Sequence, residues 1–354
     1  MIEPFALALL RRRLPGLGAI PWLELGRFPT PVEPAGALGR ELGVELWIKR
    51  DDLAASGYGG NKVRKLEPLL AAARERGARR VITVGGLGSN HVVATAFHAR
   101  AAGLACEALL VPQPLTPLTR ANLRAALALG ARLLPAPGWA QAPGALLALA
   151  RRLGRDAVVI GPGGSSPLGT LGYVAAALEL EEQVRGGTCP APAALYVALG
   201  SGGTAAGLLA GLAQTALPTR VVAVRVVHPA LAGRWPTLLL ARRTLALLRR
   251  HGARPAEVDP ARLTIAGEQL GPGYGAPTAA AVAAVARAAA AGLVLETTYT
   301  GKTLAALIAR AAAAPGPVLF WDTFSSADLA ALAAPVGAVP AALAAILDGD
   351  LTSG

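Results

Sequence analysis

The sequence predicts an α/β protein that contains two sheets of mostly parallel strands. Short apolar runs rich in β-branched residues alternate with longer segments of helical periodicity along most of the 354 residues. Continuous apolar strands are typical of parallel sheets that are buried on both faces. Glycine-rich loops come directly after several of these runs, at the strand ends where α/β proteins bind their ligands.

Glycine or proline closes most of the predicted elements and so fixes their order. The helices predicted to run up to a glycine are Lys65–Arg76, Asn90–Ala102 and Thr119–Leu129. The predicted strands are Glu45–Lys49, Arg80–Val84, Glu107–Val111, Ala131–Leu134, Ala157–Ile160, Leu195–Leu199, Val221–Val227, Leu293–Glu296 and Val318–Trp321.

Arginine dominates a basic composition with a formal net charge of +12. Such a balance can indicate binding to nucleic acid or to an anionic membrane. However, the arginines are scattered, aromatic residues for base stacking are few, and no zinc-finger or RNP-like pattern is present. We therefore expect no nucleic-acid partner, and the positive charge suits an anionic cofactor and carboxylate substrates.

The cysteines and the apolar segments indicate the compartment. Cys106 and Cys189 lack metal-binding spacing, so we expect free thiols in a reducing compartment and no metal site. No basic region precedes the short apolar run Phe5–Leu10, which argues against a signal peptide. Arg287 interrupts the alanine-rich run Ala279–Ala291, which falls short of a membrane span. These features predict a soluble, cytoplasmic protein with no membrane partner.

The most informative stretch is the segment 58–67, YGGNKVRKLE, in which Lys62 follows two glycines at the start of a predicted helix. Glycine lets the backbone approach a ligand closely because it has no Cβ. A lysine amine held at such a place can form a Schiff base with an aldehyde such as that of pyridoxal phosphate. The alternative is a plain glycine-rich turn before a basic helix.

A second glycine loop, Gly200–Thr204, follows the predicted strand Leu195–Leu199 and opens a helix. Successive backbone N–H groups at a helix N-terminus form an anion site, to which the hydroxyls of Ser201 and Thr204 can add donors. The loop lacks the Gly-Lys-Ser/Thr ending of a nucleotide P-loop. A dinucleotide site and a plain tight turn both stay open for this loop alone.

Further candidate residues lie in other loops, most of which follow predicted strands. These candidates are Ser89, Asn90, His91, Gly164, Ser165, Tyr274, Tyr299, Thr300, Asp322 and Thr323. Ser89 suits a helix N-cap, Asn90 can donate to a phenolate-type oxygen, and His91 can act as a general base or simply begin the helix. Tyr299 can serve as an acid or base or can bind a carboxylate.

Together these motifs resemble the family of D-cysteine desulfhydrase and 1-aminocyclopropane-1-carboxylate (ACC) deaminase. Its members use pyridoxal phosphate and have the fold of the tryptophan synthase β subunit, fold type II. The resemblance runs from about Leu25 to Ser326, and Lys49–Asp52 followed by Gly59–Glu67 is its most specific part. It implies two three-layer αβα domains with mostly parallel sheets. Residues 1–58 and 168–354 would form a large cofactor-binding domain, and 59–167 a small inserted one.

The resemblance also implies roles for single residues. Lys62 matches the lysine that carries the cofactor, and Ser89 and Tyr299 match residues that contact the substrate and take part in proton transfer. The groups that match cofactor-binding positions are Lys65, Asn90, Gly200, Ser201, Gly202, Gly203, Thr204 and Thr323. The residues that we expect to face the substrate are His91, Gly164, Ser165, Tyr274, Thr300 and Asp322.

The implied reaction is β-elimination from a small amino acid by a homodimer, which converts D-cysteine to pyruvate, ammonia and sulfide. ACC deaminases tend to carry Glu and Leu where this chain has Thr300 and Thr323, which favours the desulfhydrase. A hydroxyl near the pyridine nitrogen cannot hold it protonated as a carboxylate can.

Four departures from the family pattern leave the substrate open: Gly88, Val93, Asp322 and Phe324. ACC deaminase-like ring opening, racemisation, β-replacement, dehydration of a hydroxyamino acid and a catalytically silent protein that binds pyridoxal phosphate stay as alternatives. Asp322 can present a carboxylate to an amine or cap the following helix. A dinucleotide oxidoreductase would leave Lys62 without a role.

Overall fold

The computed structural model describes residues 3–310, 316–333 and 341–348. The chain divides into two compact units. The first consists of Met1–Pro68 and Ser165–Ser326, and the second of Leu69–Gly164 and Ala327–Gly354, as far as these are described. The predicted limits of the inserted domain, residues 59 and 167, stay a prediction.

Strands and helices alternate along the chain, as predicted. The strands are β1 Val32–Pro34, β2 Leu46–Arg50, β3 Arg80–Gly86, β4 Ala105–Val111, β5 Arg132–Pro135, β6 Ala157–Ile160, β7 Ala194–Leu199, β8 Arg220–Arg225, β9 Leu263–Ala266 and β10 Val318–Asp322. The helices are α1 Phe5–Arg13, α2 Gly36–Leu42, α3 Lys62–Glu75, α4 Asn90–Ala101, α5 Pro117–Ala128, α6 Ala142–Leu153, α7 Pro167–Arg185, α8 Gly203–Leu212, α9 Arg234–Arg250, α10 Ala279–Ala290, α11 Thr300–Arg310, α12 Leu329–Leu332 and α13 Ala341–Asp348.

The first unit is built on a six-stranded sheet in the order β1-β2-β10-β7-β8-β9. Only β1 runs antiparallel, to β2, among these strands. Side chains of successive residues on a strand point to opposite faces. Leu195 and Val197 accordingly pack with α1, α7, α8 and α9, whereas Tyr196 packs with α2, α10 and α11 on the other face. Helices therefore cover the sheet on both faces.

The second unit is built on a four-stranded parallel sheet in the order β5-β4-β3-β6. Ile82, Val84 and Leu109 pack against α6, and α4 packs on β3 and β4. The fold-class prediction of an α/β protein with two mostly parallel sheets is confirmed. Within the described part of the chain, no helix is long and apolar enough to cross a bilayer.

The two edge strands of the first sheet, β1 and β9, lie outside the predicted strands. The predicted strand Leu293–Glu296 is wrong, because this segment pairs with no strand, and the edge position belongs to β9. Burial nevertheless alternates there: Leu293 and Leu295 are buried, while Val294 is 55% exposed. The segment therefore has the apolar pattern of a strand without the hydrogen-bonded ladder that defines one.

Candidate active site

A buried ionic network supports the start of helix α3. The guanidinium of Arg64 donates to both carboxylate oxygens of Asp51 and to Glu179, at distances from 2.8 to 3.1 Å. Lys49 also donates to Glu179. Isolated charges are costly in a protein interior, but here each is paired and hydrogen-bonded. The network thus explains why Lys49, Asp51 and Arg64 of this motif region are buried together with Glu179 of α7.

The turn before Lys62 is held on both sides by backbone hydrogen bonds. Gly60 N–H donates to the carbonyl of Asp51 at 2.7 Å, and Asn61 N–H donates to the carbonyl of Thr323 at 3.1 Å. Gly60 has φ of +86°, and a Cβ there would lie 2.6 Å from the carbonyl oxygen of Phe324. Only glycine combines this left-handed conformation with so close an approach of two backbones.

The amine of Lys62 is half-buried and faces Asn61. Its Nζ donates to Asn61 Oδ1 at 2.6 Å, and Asn61 Nδ2 donates to Thr204 Oγ1 at 3.1 Å. Burial lowers the pKa of Lys62 to about 8, against the opposing attraction of the Glu296 carboxylate. A substantial fraction of this amine is therefore unprotonated and nucleophilic near neutral pH.

The loop Gly200–Thr204 forms a cradle for an anion at the N-terminus of α8. Gly202 has φ of +88°, and Gly203 N–H donates to Ser165 Oγ at 3.0 Å. A Cβ on Gly203 would lie 2.5 Å from Ser165 Oγ and 3.1 Å from Lys65 Nζ. Because Gly203 has no Cβ, Ser165 Oγ and Lys65 Nζ can lie close against the N-terminus of α8, where anions are stabilised.

Lys65 places a buried amine beside this cradle. Burial and then the charge of Lys62 hold the pKa of Lys65 well below its usual range. A dianionic group such as a phosphate would reverse this effect, because an opposite charge nearby favours the ammonium form. The hydroxyls of Ser165 and Ser201 lie 2.7 Å apart at the same loop. Ser165, which the sequence placed toward the substrate, thus contacts the cradle.

Tyr299 and Tyr274 form a pair next to the glycine loop. Their hydroxyl oxygens are 2.7 Å apart, and a Cβ on Gly200 would lie 3.3 Å from the ring of Tyr299. Burial, together with Tyr274 and Glu296, raises the pKa of Tyr299 well above its usual range. Tyr299 therefore stays protonated and can act as a hydrogen-bond or proton donor.

Glu296 organises the turn that carries Tyr299. Its carboxylate accepts the backbone N–H groups of Thr298, Tyr299 and Thr300 at 2.7 to 2.9 Å. The hydroxyl of Thr300 is also turned toward Glu296, and Thr300 is buried. The predicted contact of Thr300 with the substrate has no support in this geometry, because its side chain serves the turn.

Asp322 ends β10 as a fully buried carboxyl group. Its Oδ1 accepts the N–H of Phe324 at 3.1 Å, and its Oδ2 has no hydrogen-bond partner. Burial and then the neighbouring Asp52 raise the pKa of Asp322 well above its usual range. The predicted helix cap is a local turn instead, since no helix begins at Phe324. Thr323 follows Asp322 in the chain, and the carbonyl of Thr323 accepts the N–H of Asn61.

Ser89 and Asn90 lie in the second unit, at the start of α4. Ser89 is the N-cap residue, and its hydroxyl accepts the N–H of His91 at 3.2 Å. Asn122 donates to Asn90 Oδ1 at 2.6 Å and to the carbonyl of Gly88 at 2.9 Å. Because Asn122 occupies that oxygen, the amide nitrogen of Asn90 is its donor end. This orientation suits the predicted contact with a phenolate-type oxygen.

His91 lies inside the second unit. Its Nε2 is 2.8 Å from Thr83 Oγ1, which itself donates to the carbonyl of Ile160, and its Nδ1 is 3.4 Å from Thr95 Oγ1. Both ring nitrogens thus face interior threonines, which gives no support to a substrate contact. Gly164 belongs to a short turn of the same unit with φ of +65°, and its predicted role is untested.

Three residues of this region escaped the sequence reasoning: Asn61, Glu296 and Lys302. Asn61 and Glu296 act through neighbours in the folded chain, so neither carried a signal of its own. Lys302 stands in a recognised motif, and its rarity was a signal, since the chain contains only the lysines Lys49, Lys62, Lys65 and Lys302. None of the four is exposed.

A comparison with protein families decides what this arrangement serves. The family model described as pyridoxal-phosphate dependent enzyme matches residues 23–322. The chain belongs to this family. The match includes Lys62, the glycine loop and the tyrosine pair, so the cofactor prediction of pyridoxal phosphate is confirmed.

Individual relatives of this pyridoxal-phosphate dependent enzyme differ in their named activities. The nocardicin C-9′ epimerase of Nocardia uniformis subsp. tsuyamanensis is 42% identical over 60% of this chain and 65% of its own length. The match thus spans just under two thirds of that relative. A D-cysteine desulfhydrase of Klebsiella pneumoniae subsp. pneumoniae is 38% identical over 77% of this chain and 82% of its own length.

A solved structure of an ACC deaminase homologue superposes with a TM-score of 0.77. It is 31% identical, and the superposition covers 94% of this chain and all of the homologue. The predicted resemblance to the D-cysteine desulfhydrase and ACC deaminase family is therefore confirmed.

The residues of the first unit fit pyridoxal phosphate. The N-terminus of α8 and the buried amine of Lys65 lie together at Gly203, where they can bind the phosphate, and Lys62 is an amine with a lowered pKa for the aldehyde. No group of three or more His, Cys, Asp or Glu side chains suited to a metal ion occurs in the described ranges. The donor set is that of a phosphorylated organic cofactor.

Proposed function

We propose that this chain catalyses β-elimination from a small amino acid in the manner of a D-cysteine desulfhydrase. D-Cysteine would give pyruvate, ammonia and sulfide. The observation that carries the proposal is the amine of Lys62, whose pKa is lowered to about 8 beside an anion cradle. The named relative at 38% identity supports it, as do the residue identities of Thr300 and Thr323, which stand where ACC deaminases tend to carry Glu and Leu.

Lys62 would serve first as the attachment point and then as the base. When bound, pyridoxal phosphate supplies an electron sink for the negative charge that develops at the substrate Cα. The amine of Lys62, once free, would take the proton from the substrate Cα. A base works best when its pKa lies near the operating pH, and a pKa of about 8 meets that condition.

Tyr299 would protonate the leaving sulfur as the Cβ–S bond breaks. Its raised pKa keeps the hydroxyl protonated until this step, and Tyr274, whose hydroxyl oxygen lies 2.7 Å away, would donate to the Tyr299 oxygen as negative charge develops there. Lys65 and the loop Gly200–Thr204 would hold the phosphate. Ser89 would contact the substrate and Asn90 the 3′-oxygen, as the resemblance implies.

Epimerisation is a second candidate, because the nocardicin C-9′ epimerase is 42% identical over 217 residues. Both reactions begin with removal of the Cα proton by Lys62. They differ in whether Cβ carries a group that leaves before a proton returns to Cα. ACC deaminase-like ring opening, β-replacement and dehydration stay as further alternatives.

A substrate panel in deuterated buffer tests the proposal. We expect pyruvate and sulfide from D-cysteine with the purified enzyme, and neither product from Lys62→Ala. The panel includes both enantiomers of cysteine, serine and a bulky arylglycine, together with ACC. Deuterium incorporation or inversion at Cα without pyruvate from any member would refute elimination and favour the epimerase.

We also propose a cytoplasmic homodimer. The dimer is supported by the family resemblance alone, and the compartment by the buried free thiols of Cys106 and Cys189. Sedimentation equilibrium of the holoenzyme tests the dimer, and a monomer at micromolar concentration would contradict it.

A further inference from the structure

The loop that carries Tyr274 cannot fix its own conformation. It connects β9 to α10 through the sequence GPGYGAP at 271–277, without helix or strand. Gly271, Gly273 and Gly275 have φ of +63°, +151° and +78°. Glycine adopts such values easily, but it also gives the unconstrained chain many alternatives. Contacts from outside the loop must therefore position Tyr274.

Lys302 supplies such a contact from helix α11. Its Nζ donates to the carbonyl of Leu270 at 2.8 Å and to the carbonyl of Gly273 at 3.2 Å. One ammonium group thus joins the carbonyls of residues 270 and 273. It closes this part of the loop directly before Tyr274. The side chain of Lys302 is fully buried, and a buried donor of this kind must be satisfied by its partners.

Tyr299, the partner of Tyr274, lies in the turn that leads directly into the same helix. Glu296 fixes this turn through three N–H groups, and Lys302 lies about one helical turn after Tyr299. The charge of Glu296 also offsets the burial that lowers the pKa of Lys302. One rigid element thus determines where Tyr299 stands and, through Lys302, where Tyr274 stands.

We infer that Lys302 is a positioning residue that keeps the Tyr274 hydroxyl within hydrogen-bonding distance of the Tyr299 hydroxyl. The bond between the tyrosines is 2.7 Å long, and a displacement of about 1 Å would break it. The inference rests on the proposed function only in that Tyr299 is the proton-transfer group. The geometry of the loop is independent of the substrate.

A double-mutant cycle on the holoenzyme tests this coupling. Lys302→Met removes the donors at similar length, and Tyr274→Phe removes the hydroxyl. We expect each to lower kcat on the order of 10- to 100-fold, and the double variant to be no slower than the slower single variant. Multiplicative losses would overturn the inference, because they would mean that Lys302 acts elsewhere. If no amino acid is turned over, deuterium exchange at Cα is the readout.

Hydrogen–deuterium exchange of the loop supplies a readout that does not depend on activity. We expect faster exchange at 268–278 in Lys302→Met but not in Tyr274→Phe, while the absorbance of the bound cofactor is retained. Arg287→Met is the control, since it removes an exposed cation paired with Glu41. If Lys302→Met does not fold, Lys302→Gln, which removes the charge and keeps a shorter amide donor group, takes its place. Unchanged exchange in the loop of a folded variant would overturn the inference, whatever reaction the enzyme catalyses.

Discussion

The titration of Lys62 in the cofactor-free protein offers a direct test of the site. The pKa of Lys62 is lowered from 10.5 to about 8 by burial, which corresponds to about 3 kcal/mol against the ammonium form. At pH 8 about half of the Lys62 amines are unprotonated, whereas an ordinary lysine has a neutral fraction of about 0.003. At pH 8 the unprotonated fraction of Lys62 is therefore about 150-fold larger than that of an ordinary lysine. Its labelling by an amine reagent should be faster by about the same factor.

Fluorodinitrobenzene labelling between pH 6 and 11, followed by peptide mapping, measures this pKa. The same peptide in urea gives the reference for an unperturbed lysine. Glu296→Gln removes the carboxylate that favours the ammonium, so the pKa of Lys62 should fall further below 8. Glu24→Gln removes an exposed carboxylate and should leave it unchanged. A folded-state pKa near 10.5, or a rise in Glu296→Gln, would refute the account of the site.

Three further substitutions test the buried ionic network around Arg64, the anion cradle at Gly203 and the buried carboxyl group of Asp322. Asp51→Asn should lower the free energy of unfolding by about 3–5 kcal/mol in urea titrations, because it leaves the buried charge of Arg64 underpaired. Gly203→Ala should weaken cofactor binding in a spectral titration, since its methyl would lie 2.5 Å from Ser165 Oγ. Asp322 holds a proton in the folded state that the unfolded chain releases above its ordinary pKa of 3.8. The wild type should therefore lose stability relative to Asp322→Asn as pH rises from 5 to 8.

Each of these changes has a control or a contradicting result. Glu41→Gln breaks an exposed ion pair with Arg287 and should cost no more than about 1 kcal/mol. Gly144→Ala adds a methyl where no atom lies within 4 Å and should leave cofactor affinity unchanged. A stability difference between Asp322→Asn and the wild type that does not vary with pH would show that Asp322 is ionised in the folded protein.

Sequence patterns predicted strands where local composition and pairing agree. Ala157–Ile160 was predicted with its observed bounds, because its apolar, β-branched run is closed by Gly161. Leu293–Glu296 and β9 have comparable length and apolarity, yet only β9 pairs with β8. Pairing depends on which segment reaches the sheet edge, and no local pattern contains that information.

The candidate site was predictable where the chemistry is local and unpredictable where it depends on distant contacts. Lys62 follows two glycines, and the loop Gly200–Thr204 contains three more. A ligand, or a second backbone segment that comes close to these glycines, explains why glycine stands there. The bond from Asn61 to Thr204 joins residues 143 positions apart. The predicted substrate contact of His91 stays a prediction without support for the same reason, since its interior neighbours Thr83 and Thr95 could not be chosen from spacing alone.

The positions of lysine in this chain follow from what each site requires of a cation. Lys62 must lose its proton, which arginine cannot do in a protein. Lys49 donates to Glu179, Gln183 and the carbonyl of Thr30, a set that matches the three donors of a compact ammonium. Lys65 presents its amine beside Gly203, 3.1 Å from where a Cβ would stand. Lys302 donates from a single nitrogen to two carbonyls, so each of the four lysines presents one compact nitrogen, and at Lys62 the chemistry itself excludes arginine.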